Sequence, residues 1–155
     1  MRLLLDTTYF IPAIGISVKD VPSDLVLKLL DDGYEIWISE VSLFELSAKG
    51  AKYVASRVLD HKIVLDGIRA IIHDDRINKA SIYEIPILSI ALKLRSYLSD
   101  FIDCLITSTA LIKSDILVTE DKDIKMLYTI EEFKSIVREV NPGFKIESVK
   151  EVLRR

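Results

Sequence analysis

Two aspartates directly follow predicted strands of this sequence. Asp6 comes after the apolar run Leu3-Leu4-Leu5, and Asp121 comes shortly after the run Ile116-Leu117-Val118. The carboxyl ends of parallel strands meet at one edge of a sheet, and ligands bind beyond that edge. Both aspartates could also cap a following helix, and this role is compatible with metal binding. We therefore expect Asp6 and Asp121 to lie close together as candidate metal ligands.

Glu45 is a third candidate, and it lies inside a predicted helix that Ser39 caps. At about 100° per residue, Glu45 lies at the edge of an apolar stripe that we expect to face the core. That stripe comprises Val41, Phe44, Ala48, Ala51, Ala55, Val58 and Leu59. The alternative interpretation is an ordinary boundary glutamate. Glu45 nevertheless lies in the first two turns after a predicted strand, close to the sheet edge at which Asp6 is expected.

A fourth acid comes from a helix predicted over about Ile102 to Ile112. The buried stripe of this helix comprises Phe101, Ile102, Leu105, Ile106, Thr109 and Ala110. Asp103 lies near the margin of this stripe, whereas Asp100 lies almost opposite it. Asp103 is therefore the better candidate for a partly enclosed ligand, and Asp100 for a solvated cap. Asp123, two residues after Asp121, could join the site or face water.

Four clustered carboxylates predict a bound cation. Their charges repel one another and raise each other's pKa, and a hard divalent ion removes that conflict. Mg²⁺ and Mn²⁺ prefer oxygen ligands, and such an ion can activate water and neutralise a phosphoryl oxygen. Cys104 is the only cysteine, and His61 and His73 are the only histidines. A cysteine zinc cluster is excluded, and neither histidine lies in a Ser or Cys nucleophile motif.

The segments between these acids alternate short apolar runs with helical patterns, which is typical of an α/β domain. Strands are predicted at 3–5, 35–38 and 116–118, with a further short strand at 81–85. Helices are predicted at 22–32, 39–59, 63–72, 86–98, 102–112 and 130–139, and residues 144–155 form a short strand or extension with a terminal helical turn. Strands joined through helices require parallel crossovers.

Composition predicts a single domain over residues 1–155 with ample apolar material for a core. The net charge of −3 counts against a broad phosphate-binding surface, but less against a small enzyme site. The apolar runs are far shorter than the ~20 residues of a membrane span. The apolar stretch at the N-terminus is too short for a secretory signal, so we expect a cytoplasmic protein with no membrane partner. The absence of Gln and the presence of only two Asn favour a thermophilic source.

Four segments of the chain, in order, resemble the PIN domain family. They are residues 3–8 (LLLDTT), 39–46 (SEVSLFEL), 103–110 (DCLITSTA) and 117–123 (LVTEDKD). Each segment alone is weakly diagnostic, whereas the ordered set is more specific and extends over most of the chain. The resemblance implies a three-layer α/β/α sandwich with a central, mainly parallel sheet. It also implies a Mg²⁺- or Mn²⁺-dependent endoribonuclease that cleaves single-stranded RNA.

The same resemblance implies roles for individual residues. The catalytic and metal-binding residues would be Asp6, Glu45, Asp103 and Asp121, with Asp123 as an additional metal ligand. Thr7 would orient Asp6 or a metal-bound water by hydrogen bonding, and Thr119 would support the site. Many proteins of this kind are VapC-type toxins, so an antitoxin partner and a homodimer are also implied. Here residues 50–76 form a longer helical elaboration, and 144–155 form a C-terminal extension.

Other interpretations remain open at the level of the sequence. Lys122 and Lys49 could bind RNA phosphates, or they could be solvated surface charges. The chain could be a catalytically silent PIN-like module that binds RNA or a protein partner. An aspartyl-phosphate phosphatase or receiver-like domain would also place an aspartate at position 6. However, such a phosphatase would have a second aspartate where this chain has Thr8.

Overall fold

A computed structural model describes residues 1–155 and contains one sheet of five strands. The strands are β1 (Arg2–Leu5), β2 (Glu35–Ser39), β3 (Ile77–Ala80), β4 (Ile116–Val118) and β5 (Lys145–Glu147). Their order is β3-β2-β1-β4-β5, and every neighbouring pair is parallel. All carboxyl ends therefore lie at one edge, and Asp6 leaves the sheet from its central strand.

Eight α-helices cover the two faces of the sheet, which confirms the predicted three-layer α/β/α architecture. They are α1 (Leu25–Asp31), α2 (Glu40–Ala55), α3 (His61–His73), α4 (Ile85–Leu94), α5 (Phe101–Lys113), α6 (Lys122–Met126), α7 (Glu131–Val140) and α8 (Val149–Val152). Leu3 and Leu5 of β1 pack toward α1, α3 and α8, and Leu4 packs toward α4, α5, α6 and α7. None of the eight helices combines the length and apolar composition that a membrane crossing needs.

The predicted strand over Ser81–Ile85 is wrong. The third strand is β3, at Ile77–Ala80; a turn follows it, and Ile85 begins α4. β3 lies at the edge of the sheet, and its Asn78 and Lys79 are only half-buried. The side chain of each donates a hydrogen bond to a backbone carbonyl. An edge strand of this kind accepts polar residues, and a search for apolar runs therefore misses it.

The predicted core-facing stripe of α2 is also wrong, because the helix presents another side to the core. The residues that α2 buries are Val41, Ser42, Leu46 and Gly50. Phe44, which we predicted to be buried, is 66% exposed. At Gly50, a Cβ atom would lie 2.4 Å from Cγ1 of Val64 in α3. The close approach of α3 therefore turns Gly50 inward and leaves Phe44 outside.

Helix α3 packs against the segment that follows β1. Two 3-10 turns, Thr7–Tyr9 and Ile11–Ile14, follow Asp6. A Cβ atom at Gly67 of α3 would lie 2.0 Å from the carbonyl oxygen of Ala13. Only glycine, which has no Cβ, allows the helix and this turn to approach so closely. Gly67 therefore helps to fix the backbone that follows Asp6.

Candidate functional site

A cavity of about 340 Å³ collects the four acids predicted from the sequence. They are Asp6 from the end of β1, Glu45 from α2, Asp103 from the first turn of α5, and Asp121 from the segment after β4. The other lining residues are Thr7, Thr8, Ile11, Phe44, Ala48, Lys49 and Ile102. Four segments that are distant in the sequence thus contribute carboxylates to one opening at the carboxyl edge of the sheet.

Thr119 connects two of these acids. Its hydroxyl donates a hydrogen bond to Oδ2 of Asp6 at 2.6 Å and accepts one from the backbone N–H of Asp121 at 3.0 Å. The Thr119 side chain is fully buried, so water does not compete for these bonds. The backbone N–H of Asp6 also donates to the carbonyl of Val118 at 3.0 Å, which extends the pairing of β1 with β4. Asp6 is therefore fixed relative to Asp121 through both backbone and side chain.

Glu45 is held by Thr7. The hydroxyl of Thr7 donates to Oε2 of Glu45 at 2.5 Å. The side chain of Thr7 reaches Glu45 because Thr7 begins the 3-10 turn that packs against α2. Its backbone N–H donates a hydrogen bond to Asp6, so the predicted hydrogen bond between Thr7 and Asp6 comes from the backbone.

Asp121 caps a helix and also lies on the cavity wall. Its Oδ1 accepts the backbone N–H groups of Asp123 at 2.7 Å and Ile124 at 3.0 Å, which caps α6. The same side chain also lines the cavity. Asp123 and Lys122 are themselves exposed, and neither lines the cavity. Of the two lysines considered for substrate binding, only Lys49 lies on its wall.

Burial raises the pKa of three of the carboxyl groups. Loss of hydration is the largest cause at Asp6, Glu45 and Asp103. Hydrogen bonds from Thr119 and Thr7 partly oppose the rise in pKa at Asp6 and Glu45. At Asp103, nearby negative charges add to burial, and its pKa rises to about 7. The cavity therefore concentrates negative charge that a cation would relieve.

Asp100 lies outside the cavity, as its position on the helix predicts. It is exposed and caps α5 by accepting the backbone N–H of Ile102 at 2.8 Å. Its charge still reaches the site, because among the neighbouring acids Asp100 contributes most to the raised pKa of Asp103.

The donor set fits a hydrated, hard cation. All four acids offer carboxylate oxygens, and His61 and His73 are exposed at the two ends of α3, outside the cavity. No three His, Cys, Asp or Glu side chains converge closely enough to form a closed metal centre. Mg²⁺ and Mn²⁺ prefer oxygen, and Mg²⁺ keeps several of its water ligands, so such a site does not require a closed cage. A structural zinc site, in contrast, would require four protein ligands that enclose the ion.

Phe44 is the lining residue that sequence reasoning placed wrongly. Helical periodicity assigned it to the core, whereas the structure places it on the cavity wall. The signal that could have corrected this is its position directly before Glu45, since a residue adjacent to a candidate ligand can reach the same opening.

The family expected from the sequence is confirmed. The PIN domain family model matches residues 3–129, and the chain therefore belongs to this family. The chain is also similar to a chain in the crystal structure of VapBC2 from Rickettsia felis bound to a DNA fragment from their promoter. The two chains are 19% identical with a TM-score of 0.58, and the match covers 96% of this chain and 98% of the other. The search of curated proteins gave no significant match.

Proposed function

We propose that this protein is an endoribonuclease that hydrolyses single-stranded RNA with a bound Mg²⁺ or Mn²⁺ ion. The observation that carries the proposal is the gathering of four carboxylates around one cavity in a member of the PIN domain family. The residues that would hold the ion are Asp6, Glu45, Asp103 and Asp121. When bound, such an ion supplies an activated water and neutralises charge on a phosphoryl oxygen.

The surrounding residues orient these carboxylates before RNA binds. Thr119 holds one oxygen of Asp6, and Thr7 holds one oxygen of Glu45. Preorganised groups stabilise developing charge without having to rearrange during the reaction. Lys49 places a positive charge on the same wall, where it can contact a neighbouring phosphate.

A cleavage assay on mixed single-stranded RNAs tests the proposal. We expect cleavage with Mn²⁺ or Mg²⁺, products that carry a 5′-phosphate, and no cleavage in EDTA. Restored activity after the ion is added back would show that EDTA had not unfolded the protein. Full activity in EDTA would reject the proposed mechanism.

The Thr119 hydroxyl gives a first prediction within this proposal. Thr119→Val keeps a similar shape but removes both the hydrogen bond to Asp6 and the acceptor for the backbone N–H of Asp121. Since groups that orient metal ligands typically contribute about 10- to 100-fold to metal affinity or activity, we expect a loss of that size in cleavage. The measurement is kcat/KM at several Mn²⁺ concentrations, with Thr129→Val, an exposed threonine outside the cavity, as the control. Unchanged kcat/KM in Thr119→Val would contradict the orienting role.

A catalytically silent binding module is the second candidate function. It is favoured by one observation, that no three acidic side chains converge on a single point. Calorimetry with Mn²⁺ separates the two candidates, because the nuclease must bind the ion and its Asp103→Asn variant must bind it more weakly. Absence of Mn²⁺ binding by the wild-type protein would favour the silent module.

We further propose that the protein acts in the cytoplasm as the toxin of a toxin–antitoxin pair. The family membership and the similarity to a chain of VapBC2 support this proposal. The product of a small neighbouring gene should then co-purify with this protein and inhibit RNA cleavage. Cleavage that this product leaves unaffected would count against the pair.

We also propose that the protein forms a homodimer through α4. Ile85 is 76% exposed and Leu92 is 66% exposed, and two helical turns separate them on one face. Sedimentation should show a dimer that Leu92→Glu converts to a monomer. A monomeric wild-type protein at micromolar concentration would reject this assembly.

A further inference from the structure

The wall of the catalytic cavity is apolar on one part and acidic on another. Its apolar part comprises Ile11, Phe44, Ala48 and Ile102. Ile11 is buried in the core and Ile102 is half-buried, so packing within the protein accounts for them. Phe44 is different, because 66% of its side chain is exposed and it does not belong to either core cluster. The fold therefore leaves an aromatic ring open to solvent at the edge of the acidic site.

The neighbours of Phe44 on α2 are the groups that an RNA strand would contact. Glu45 follows it directly and is one of the four acids, and Lys49 lies one helical turn beyond Glu45 on the same cavity wall. An aromatic face, a cation and a metal-binding carboxylate thus occur within six residues of one helix. These are the contacts that a base, a flanking phosphate and a scissile phosphate require.

We propose that Phe44 is the platform on which one base of the RNA substrate stacks, beside the phosphate that is cleaved. This inference rests on the proposed nuclease function and specifies how that site holds its substrate. Aromatic stacking tolerates every base, since each base has a flat face, so Phe44 contributes affinity without strict sequence preference. It also favours single strands, because the bases of a duplex are already stacked on one another. Phe44 is a positioning residue, and Asp6, Glu45, Asp103 and Asp121 perform the chemistry.

A protein partner is the competing occupant of this surface. Small exposed residues, Ala48, Ala51 and Ala55, continue from Phe44 along α2. The observations favour RNA for two reasons. Phe44 lines the cavity itself, and the stripe beyond it offers alanines with little area for a protein to bury. The large apolar residue nearest the end of the stripe is Val58, which is 65% exposed and lies outside the cavity, so it serves as a matched control.

The test compares Phe44→Ala, Phe44→Leu and Phe44→Trp with Val58→Ala. Since alanine substitution of a stacking residue weakens binding substantially, we expect Phe44→Ala to raise KM by about tenfold with little change in kcat. Phe44→Trp should restore the wild-type KM, whereas Phe44→Leu, which is apolar but has no aromatic face, should not. Val58→Ala should behave as wild type. All four variants should melt at the wild-type temperature, because the altered side chains are exposed.

A binding measurement separates this inference from the nuclease proposal. In the Asp103→Asn background, which does not cleave, Phe44→Ala should weaken the Kd for a single-stranded RNA about tenfold. A second RNA carries an abasic site in place of the stacked nucleotide. The Asp103→Asn protein and the double variant that also carries Phe44→Ala should bind this RNA with the same Kd.

The possible outcomes distinguish failure of the platform from failure of the nuclease. If the wild type cleaves RNA and Phe44→Leu matches it in KM, the platform is rejected while the nuclease stands. If RNA binding depends on Phe44 but the wild type does not cleave, the platform stands and the nuclease is rejected. Loss of a co-purifying protein in Phe44→Ala, with RNA binding unchanged, would identify the surface as a protein interface and overturn the proposal.

Discussion

Replacement of Asp103 by Asn should reduce RNA cleavage by at least about 100-fold and leave the fold intact. Residues that only orient metal ligands already contribute about 10- to 100-fold, so loss of a ligand should cost more. Asp103 accepts no hydrogen bond that Asn would disrupt, and its raised pKa arises from burial and neighbouring charges alone. The readouts are kcat/KM with saturating Mn²⁺ and the circular dichroism spectrum. If Asp103→Asn cleaves RNA as fast as the wild type, Asp103 is not a catalytic residue.

The same substitution should stabilise the metal-free protein. A carboxyl group with a raised pKa destabilises the fold wherever the unfolded chain ionises it more readily. For Asp103 this penalty is absent below about pH 4, grows as the pH rises from 3.8 toward 7, and is complete above pH 7. Allowing for solvent screening of a half-buried group, we expect a gain of about 1 to 2 kcal/mol at pH 8, or roughly 2 to 8 °C in melting temperature.

Melting curves of both proteins in EDTA at pH 4.5, 6 and 8 would measure this effect. The stability difference between Asp103→Asn and wild type should increase with pH across that series. Asp75→Asn is the control, because Asp75 is exposed, lies outside the cavity and is not among the charges that raise the pKa of Asp103. A difference that stays constant from pH 4.5 to 8 would mean that the charge of Asp103 carries no penalty in the fold.

Replacement of Gly67 by Ala should strongly destabilise the fold. The new Cβ would lie 2.0 Å from the carbonyl oxygen of Ala13 and 2.7 Å from its carbonyl carbon. These are backbone atoms, so relief requires α3 or the turn over Ile11–Ile14 to move. Overpacking of this kind costs about 3 kcal/mol, which offsets the better helix propensity of alanine. We expect the melting temperature to fall by roughly 6 to 12 °C.

The matched control for this effect is Gly143→Ala. Gly143 has no atom within 4 Å of the added Cβ and its backbone does not require glycine, so its stability should change by less than about 0.5 kcal/mol. Urea unfolding of both variants gives the comparison. Since Ile11 lines the cavity, any Gly67→Ala protein that folds should also show a raised KM for RNA. An unchanged urea midpoint for Gly67→Ala would show that the close approach to Ala13 is not a constraint on the fold.

The sequence was sufficient to find the acids because their positions depend on strand ends. Asp6 and Asp121 follow β1 and β4 closely, and parallel pairing of these strands brings their ends together. Helical arithmetic separated Asp103 from Asp100 correctly for the same reason, since both lie near the start of one regular helix. The family resemblance added the three-layer arrangement and the expected substrate.

The sequence-based predictions failed where contacts between helices and strands decide which residues are buried. Periodicity shows which residues of α2 share a face, but it does not show which face another helix covers. Gly50 admits Val64 of α3, and this contact places Phe44 outside the core. β3 was missed because an edge strand with Asn78 and Lys79 lacks the apolar run of a central strand.

Four hydrogen bonds at the site bear on which ions it can accept. One oxygen of each of three carboxylates is already engaged, in Asp6 by Thr119, in Glu45 by Thr7, and in Asp121 by the first N–H groups of α6. Bidentate coordination of an ion by any of these carboxylates would compete with the hydrogen bond that its second oxygen already accepts. Ca²⁺ takes six to eight oxygens and often uses bidentate carboxylates, whereas Mg²⁺ is satisfied by single oxygens and water. If the cavity binds an ion as proposed, these hydrogen bonds would disfavour Ca²⁺ relative to Mg²⁺, and Thr7 and Thr119 would influence ion selectivity through the carboxylates that they hold.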